Sequence, residues 1–319
     1  MAVLVGIDEA GFGPLLGPLV VSSSALSLPH NLLHADLWQI LSKSTANKRR
    51  HLAGRLLIAD SKKAYSKSLG IKQMQRTVLT CLASLGEKPA TLTELMTLLC
   101  PDCLEQMDEY PWHKQAASCR LSADEVDVAI AAEVLKNDLG SNHIKMLELK
   151  SCCLDVGCYN KMVSAVRNKA DVLFSTVSRL IKRAYDNFGS DDLQIIVDRQ
   201  GGRVRYRRCL QQMFGDMDLK ILREEAAVSS YELNSGGKGM QLHFIVGADE
   251  RFFPVSLASM VSKYLRELLV GNINRYFAAH CADLIPTAGY WKDGLRFVED
   301  LKKNLPHIAI DMNLLVRCR

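Results

Sequence analysis

The chain has 319 residues, 48% of them hydrophobic, and a formal net charge of +5 at pH 7. That length supports a sizeable core in one or two domains, and no apolar run reaches the ~20 residues of a membrane helix, so no membrane partner is expected. The charge is too mild to mark a nucleic-acid partner by itself; ten scattered cysteines, behind a start without the basic region and cleavage site of a signal peptide, imply reduced thiols in a cytoplasmic protein.

An apolar run over residues 3–7 ends in two adjacent carboxylates, Asp8 and Glu9. A turn rich in glycine and proline follows, then a second apolar run, so residues 3–9 and 17–27 predict a hairpin. Neighbouring strand side chains point to opposite faces, so Asp8 and Glu9 cannot both be ordinary surface residues of a half-buried strand. An acid there is costly unless it is paired or binds a cation. Magnesium or manganese would resolve that cost, because hard cations prefer carboxylate oxygens. The plain alternative is a strand end with solvated charges. Leu33, Leu37, Ile40 and Leu41 predict a helix over 31–44, and a second helical stretch covers 67–84. Between them lie the basic clusters Lys48-Arg49-Arg50 and Lys62-Lys63, each able to neutralise phosphates or to form a solvated face.

Residues 85–142 open on a turn signal, Gly86-Glu87-Lys88-Pro89. They hold a helical stretch over 92–99 and a second helix from a capping box at Ser122 and Glu125 to about Leu139, with Gly140 as its C-terminal cap. Cys100, Cys103, His113 and Cys119 have zinc-ligand chemistry, yet one CxxC without a second pair favours free cysteines. A strand over 143–156 and a long amphipathic helix over 159–188 come next. A strand at 193–198 ends in Asp198, before Gly201 and Gly202. The helix 203–214 carries Arg203, Arg205, Arg207 and Arg208, and a strand at 219–223 follows. Asp249 stands between an apolar run, 244–246, and a helix over 254–277. This alternation predicts a mixed sheet with helices on both faces.

Residues 6–18, Gly-Ile-Asp-Glu-Ala-Gly-Phe-Gly-Pro-Leu-Leu-Gly-Pro, closely resemble the N-terminal motif of the type 2 ribonucleases H (HII and HIII). In that family the first strand ends in Asp-Glu-Ala-Gly, followed by a basic residue and Gly-Pro. Three more blocks match in the family's order: Asp60-Ser61-Lys62-Lys63, the strand ending at Asp198, and Gly247-Ala248-Asp249 with Pro254 and the helix through Lys263. Gly289-Tyr290 resembles the C-terminal tyrosine motif. The likeness covers residues 1–84 and about 143–300.

The resemblance implies an α/β fold, a ribonuclease H-like mixed sheet flanked by helices. Residues 1–84 and 143–319 would form the catalytic domain, and 85–142 a helical insertion peripheral to the acids. It implies a metal-dependent endonuclease, a ribonuclease H that hydrolyses the RNA strand of RNA–DNA hybrids, or cuts at ribonucleotides embedded in DNA, and leaves 5′-phosphates. Asp8, Glu9, Asp198 and Asp249 would be its catalytic residues and would hold two Mg²⁺ or Mn²⁺ ions. Gly11, Phe12, Gly13, Ser61, Lys62, Lys63, Lys263 and Tyr290 would bind substrate: the glycines through backbone N–H groups, the lysines through phosphates, Tyr290 by stacking on a sugar. A monomer is expected. Phe12 departs from the family's basic residue and cannot donate to phosphate or ribose. A same-fold DNA nuclease or resolvase, and a hybrid-binding protein with little catalysis, are the alternatives.

Overall fold

Alternation along the first strand sets the architecture. The structure, a computed structural model, describes residues 1–65, 70–114 and 119–318. Strand β1 (Ala2–Ala10) buries Val3, Val5 and Ile7 on one face and Leu4 on the other. A strand that is apolar on both faces belongs in the middle of a covered sheet. It pairs antiparallel with β2 (Leu19–Leu28), as the hairpin reading requires.

Helix α1 (Leu37–Ile40), the short pair β3 (Thr45–Ala46) and β4 (Leu56–Leu57), α2 (Ser61–Ala64) and α3 (Lys72–Ser84) follow. Residues 85–142 contribute α4 (Leu92–Leu99), α5 (Leu104–Met107) and α6 (Glu125–Ser141). Then come β5 (Lys145–Leu154), α7 (Val156–Val166), α8 (Lys169–Phe188), β6 (Asp192–Asp198) and α9 (Arg207–Met213). The chain continues through β7 (Asp218–Glu224), β8 (Val228–Ser235), β9 (Lys238–Ile245), α10 (Phe253–His280), α11 (Trp291–Asn304) and α12 (Met312–Leu315).

The main sheet runs β5-β2-β1-β6-β9-β8-β7. Strands β1, β6 and β9 are parallel, with Ile7 level with Val197 and Asp198 level with Ile245. This is the mixed, helix-flanked α/β sheet expected. On one face, α8 packs Leu173, Val177, Leu180 and Ile181 against Val5, Ile7, Ile195 and Val197. On the other, α10 packs Leu257, Met260 and Val261 against Leu4 and Ile196. Each such side chain contributes about 1.5–3 kcal/mol by leaving water. Leu92, Leu95, Met96, Leu135 and Leu139 of the 85–142 segment join that second core. Among the described residues no helix is long and apolar enough to cross a membrane.

Several elements depart from the sequence reading. The helix expected over 31–44 is a 3-10 turn at His30–Leu32 plus the single turn α1. The Asp36 carboxylate accepts from the Trp38 N–H (2.9 Å) and starts a new helix there. The helix over 67–84 is α3, and the first residues of that reading, 67–69, lie outside the described residues. The helix over 159–188 is two helices. Arg167 turns left-handed (φ 53°), and Asn168 caps α8 by accepting from the Ala170 N–H (2.9 Å). The helix over 203–214 shrinks to α9. Asp124, not Ser122, caps α6, and Gly140 lies inside that helix, whose C-cap is Asn142. The hairpin β8–β9 was not expected; its turn uses Gly236 and Gly237 at positive φ (58° and 81°).

Candidate active site

The parallel strands β1 and β6 end side by side, which puts acids at neighbouring strand ends. Since Ile7 pairs with Val197, the next row holds Asp8 and Asp198, on strands about 4.8 Å apart. Strand β9 ends beside them, and the chain turns through Gly247 (φ 63°) into a 3-10 helix, Ala248–Glu250, that carries Asp249. The Ala248 N–H donates to Asp198 Oδ1 (2.7 Å), so Asp198 also fastens this turn. Openings at the carboxyl ends of such strands are where α/β sheets place their sites.

Helix α10 lies against this corner. A Cβ at Gly6 would sit 2.2 Å from Pro254 C and Val255 N, so only glycine lets the helix backbone approach. Serines three residues apart face the strand ends. Ser256 Oγ donates to the Asp249 carbonyl, Ser259 Oγ contacts Ser61 Oγ (3.1 Å), and Ser262 Oγ donates to the Asp8 carbonyl (3.0 Å). A Ser259 hydroxyl bond also favours the charged form of Asp8, so Asp8 faces α10. Glu9 is the next residue along the strand; its carboxyl still meets that of Asp8, and its charge is also felt at Tyr206.

Burial raises the Asp8 carboxyl well above its ordinary range, and the charges of Glu9 and Asp198 add to this. Burial and then Asp198 push Glu9 up to about 7. Asp249 rises to about 6 through burial, then Asp198 and Asp60, with Lys62 opposing. Asp198 is raised by burial against the N–H groups of Ala248 and Asp249 and the charge of Lys62. Four carboxylates therefore repel one another where water is scarce, with Lys62 the ammonium that acts on two of them. Such a set, all hard oxygen donors, fits a divalent cation. Among the described residues, no three His, Cys, Asp or Glu side chains gather closely enough to cage one ion. Magnesium does not demand such a cage, because it usually keeps several waters and uses one or two carboxylates plus substrate phosphates.

Beside the acids opens a cleft of about 320 Å³, lined by Glu9, Ala10, Gly11, Ser61, Lys62, Tyr65, Lys263, Glu267, Ala288 and Tyr290. Clefts of similar size elsewhere, such as one lined by Trp112, Arg120 and Arg275, hold none of these acids. Tyr290 is 52% exposed and presents its ring to solvent. Lys263 is engaged: its Nζ lies 2.6 Å from Glu267 and over the rings of Tyr65 and Tyr290. Lys63 turns to Glu250 (2.8 Å). Ser61 is buried against Ser259, and Gly13 has open space around it. Phe12 packs against the α8-side core, with Lys169 Nζ 5.3 Å above its ring.

The cysteine set does not converge. Cys100 and Cys103 are buried beside Cys153, whose carbonyl accepts from Cys103 Sγ (3.1 Å). His113 faces Asp155 (3.6 Å) and Asn272 (3.3 Å), while Cys119 meets Arg275 (3.1 Å). Each is satisfied locally, and the zinc arrangement weighed from the sequence is not formed among the described residues. Sequence reasoning missed Asp60, which is 5% exposed beside Asp249 and caps α2 through the Lys62 N–H (3.0 Å). Its signal was its place at the head of the Asp60-Ser61-Lys62-Lys63 block, which was read for its serine and lysines alone. It also missed Ser259, Lys169 and two buried arginines, Arg266 and Arg317, for which no local signal exists.

No protein-family model matches the chain. Over 147 residues it is 30% identical to Ribonuclease HII of Latilactobacillus sakei, which amounts to 44% of this chain and 55% of that protein. The chain thus spans about half the length of this curated relative. Among solved structures it is similar to RNase HII of Archaeoglobus fulgidus, determined in a complex with PCNA (16% identity, TM-score 0.47, 99% of this chain and 94% of that one). It is also similar to Bst-RNase HIII in complex with Mn²⁺ (13% identity, TM-score 0.41, 99% and 66%). The four blocks of the N-terminal and strand-end motifs and the 147-residue alignment agree: over those stretches the chain is similar to the type 2 ribonucleases H.

Proposed function

We propose that this protein is a metal-dependent endonuclease of the ribonuclease H type. It hydrolyses the RNA strand of RNA–DNA hybrids, or cuts at ribonucleotides in DNA, and leaves a 5′-phosphate and a 3′-hydroxyl. The observation that carries this reading is the meeting of Asp8, Glu9, Asp198 and Asp249 at adjoining strand ends, without enough positive charge to balance them. Asp8, Glu9, Asp198 and Asp249 would hold Mg²⁺ or Mn²⁺, which would supply an activated water and stabilisation of the leaving alkoxide. The rest of the work falls to the chain. Lys62, whose charge acts on Asp198 and Asp249, meets the phosphate of the strand being cut. Tyr290 stacks on a sugar at the mouth of the cleft, and Gly11 lets the backbone of the 11–18 loop approach the nucleotide. Lys263 acts by holding Tyr290 and Glu267 in place.

On this reading residues 1–84 and 143–319 form the catalytic domain and 85–142 a helical insertion. In support, the acid cleft is lined by no residue of 85–142. A cleavage panel tests the whole proposal: RNA–DNA hybrid, a duplex with one ribonucleotide, double-stranded RNA and plain DNA, each with Mg²⁺ or Mn²⁺. Cutting of the first two alone is expected. Cutting of plain DNA gives the site to a nuclease or resolvase of the same fold, and tight hybrid binding with no cutting makes it a binding protein.

A further inference from the structure

The loop over 11–18 is fastened from two distant parts of the chain. Gly11 and Gly17 both have left-handed backbones (φ 94° and 80°), and a Cβ on Gly11 would lie 2.6 Å from the Pro18 carbonyl and 2.8 Å from the Arg266 side chain. Arg266, 1% exposed on α10, donates from Nη2 to the carbonyls of Leu16 (3.2 Å) and Ala288 (3.1 Å). Arg317, 4% exposed, reaches further. Its Nε donates to the Gly17 carbonyl (2.8 Å), its Nη1 to the Gly11 carbonyl, and its own N–H to the Leu15 carbonyl (2.9 Å). One guanidinium thus grips both ends of the loop, while Val316 bridges Leu16 alongside it.

This arrangement is expensive. Among the described residues Arg317 has no carboxylate partner, and its Nη2, like Arg266 Nε, has no acceptor. The Arg317 guanidinium also lies over the Tyr159 ring, 4.7 Å from the centroid, yet a buried cation held by carbonyls and a ring face without a carboxylate costs stability, so the arrangement serves geometry. The chain has no cis peptide bond among the described residues. In a trans peptide the C=O and the following N–H point in opposite directions. Turning the Gly11 carbonyl inward to Arg317 therefore turns the Phe12 N–H outward, away from the guanidinium.

We propose that Arg317 is a positioning residue for hydrolysis: it latches the 11–18 loop so that the loop's outward N–H groups and the adjoining Asp8–Glu9 strand end meet the nucleotide in one fixed geometry. This rests on the nuclease reading above. It touches neither the acids nor the substrate, so its loss acts on rate and loop order, not on metal affinity.

The test compares the full chain with R317A and R317K. Amide hydrogen exchange at Leu15 and Leu16, whose N–H groups donate to the Gly289 carbonyl (2.8 and 3.1 Å), is expected to rise at least tenfold in R317A, while β1 stays protected. Single-turnover cleavage of an RNA–DNA hybrid is expected to fall about 100-fold in R317A, the cost of misplacing a reacting group by about 1 Å. It should fall less in R317K, which keeps the charge but not the fork. Mn²⁺ affinity by calorimetry is expected within twofold of the parent. Unchanged loop exchange in R317A overturns the latch whatever the activity. Raised exchange with cleavage within twofold of the parent overturns the positioning role. Should R317A fail to fold, R317K carries the same two comparisons. If the unaltered chain cuts no hybrid, the nuclease reading fails on its own, and loop exchange alone decides whether the latch stands.

Discussion

Two regions of this molecule carry the side chains from which metal sites are built, and they behave in opposite ways. In the 85–142 segment and its surroundings, Cys100, Cys103, His113 and Cys119 each find a protein partner: Met96, Cys153, Asp155 with Asn272, and Arg275 respectively. At the strand ends, Asp8, Glu9, Asp198 and Asp249 find mainly one another. Ligand type alone does not separate the two. Unbalanced charge at a place where water is scarce does, because only there does a cation relieve a cost the fold has left standing.

Removing one acid breaks the comparison most directly. Asp8→Asn is expected to lower Mg²⁺-dependent hybrid cleavage by about 10³-fold or more, since charge stabilisation by metal is worth several kcal/mol, with the fold intact by circular dichroism. Cleavage near the parental rate in this variant would remove Asp8 from the site. Chelation with EDTA is expected to abolish activity in the parent.

The pH dependence of stability sharpens the contrast. Glu9 sits at about 7 in the folded chain against roughly 4.3 when unfolded. The metal-free native state therefore binds more protons than the unfolded state across that window. Its stability falls as pH rises from about 4.5 through about 7, by something on the order of 3–4 kcal/mol for this group. Because bound metal requires ionised carboxylates, the rise in melting temperature on adding Mn²⁺ should be larger at pH 8 than at pH 5.5. Glu9→Gln should flatten the metal-free profile. A profile unchanged by Glu9→Gln would show that Glu9 does not carry the strain described.

For the cysteine region the expected effects are small. The purified chain should carry no stoichiometric zinc by elemental analysis. Cys119→Ala removes a partly buried thiol and its contact with Arg275 and should cost about 1 kcal/mol or less. One zinc per chain would erase the distinction. Smaller still is the effect expected at Phe12, which is packed on the core beneath Lys169. Lys169→Gln should reduce the salt slope of hybrid binding by about one counterion, and Phe12→Arg should steepen it by about as much. Slopes that do not move would place this corner away from the nucleic acid.

The sheet and its acids were legible in the sequence because they depend on local patterns. Apolar runs ending in Asp8-Glu9 and Asp198 announce strand ends whatever the rest of the chain does. The break between α7 and α8 was also written locally, in Asn168, but an unbroken apolar stripe from Met162 to Ala184 hid it. The β8–β9 hairpin had its Gly236-Gly237 turn in plain view, yet its strands carry no continuous apolar run like that of β1. Arg317 was beyond reach, because it acts on Gly11 and Gly17 from 306 and 300 residues away. Asp60 lay between these cases, since its closeness to Asp249 follows from the way α10 and the 3-10 turn bring β9's end over α2. Charge clusters assembled by tertiary contact leave no periodicity to read.

Gly6 stands two residues before the first acid and meets the backbone of Pro254 and Val255 at a distance no side chain would tolerate. An added methyl group would have to push α10 outward, and with it Ser259, Ser262 and Arg266. In an evolving lineage that position has no gradual path. Every substitution there disturbs core packing, the strand-end carboxylates and the loop fastening at once. A screen for random loss-of-function variants should therefore recover Gly6 as often as the acids themselves, although it bears no chemical group at all.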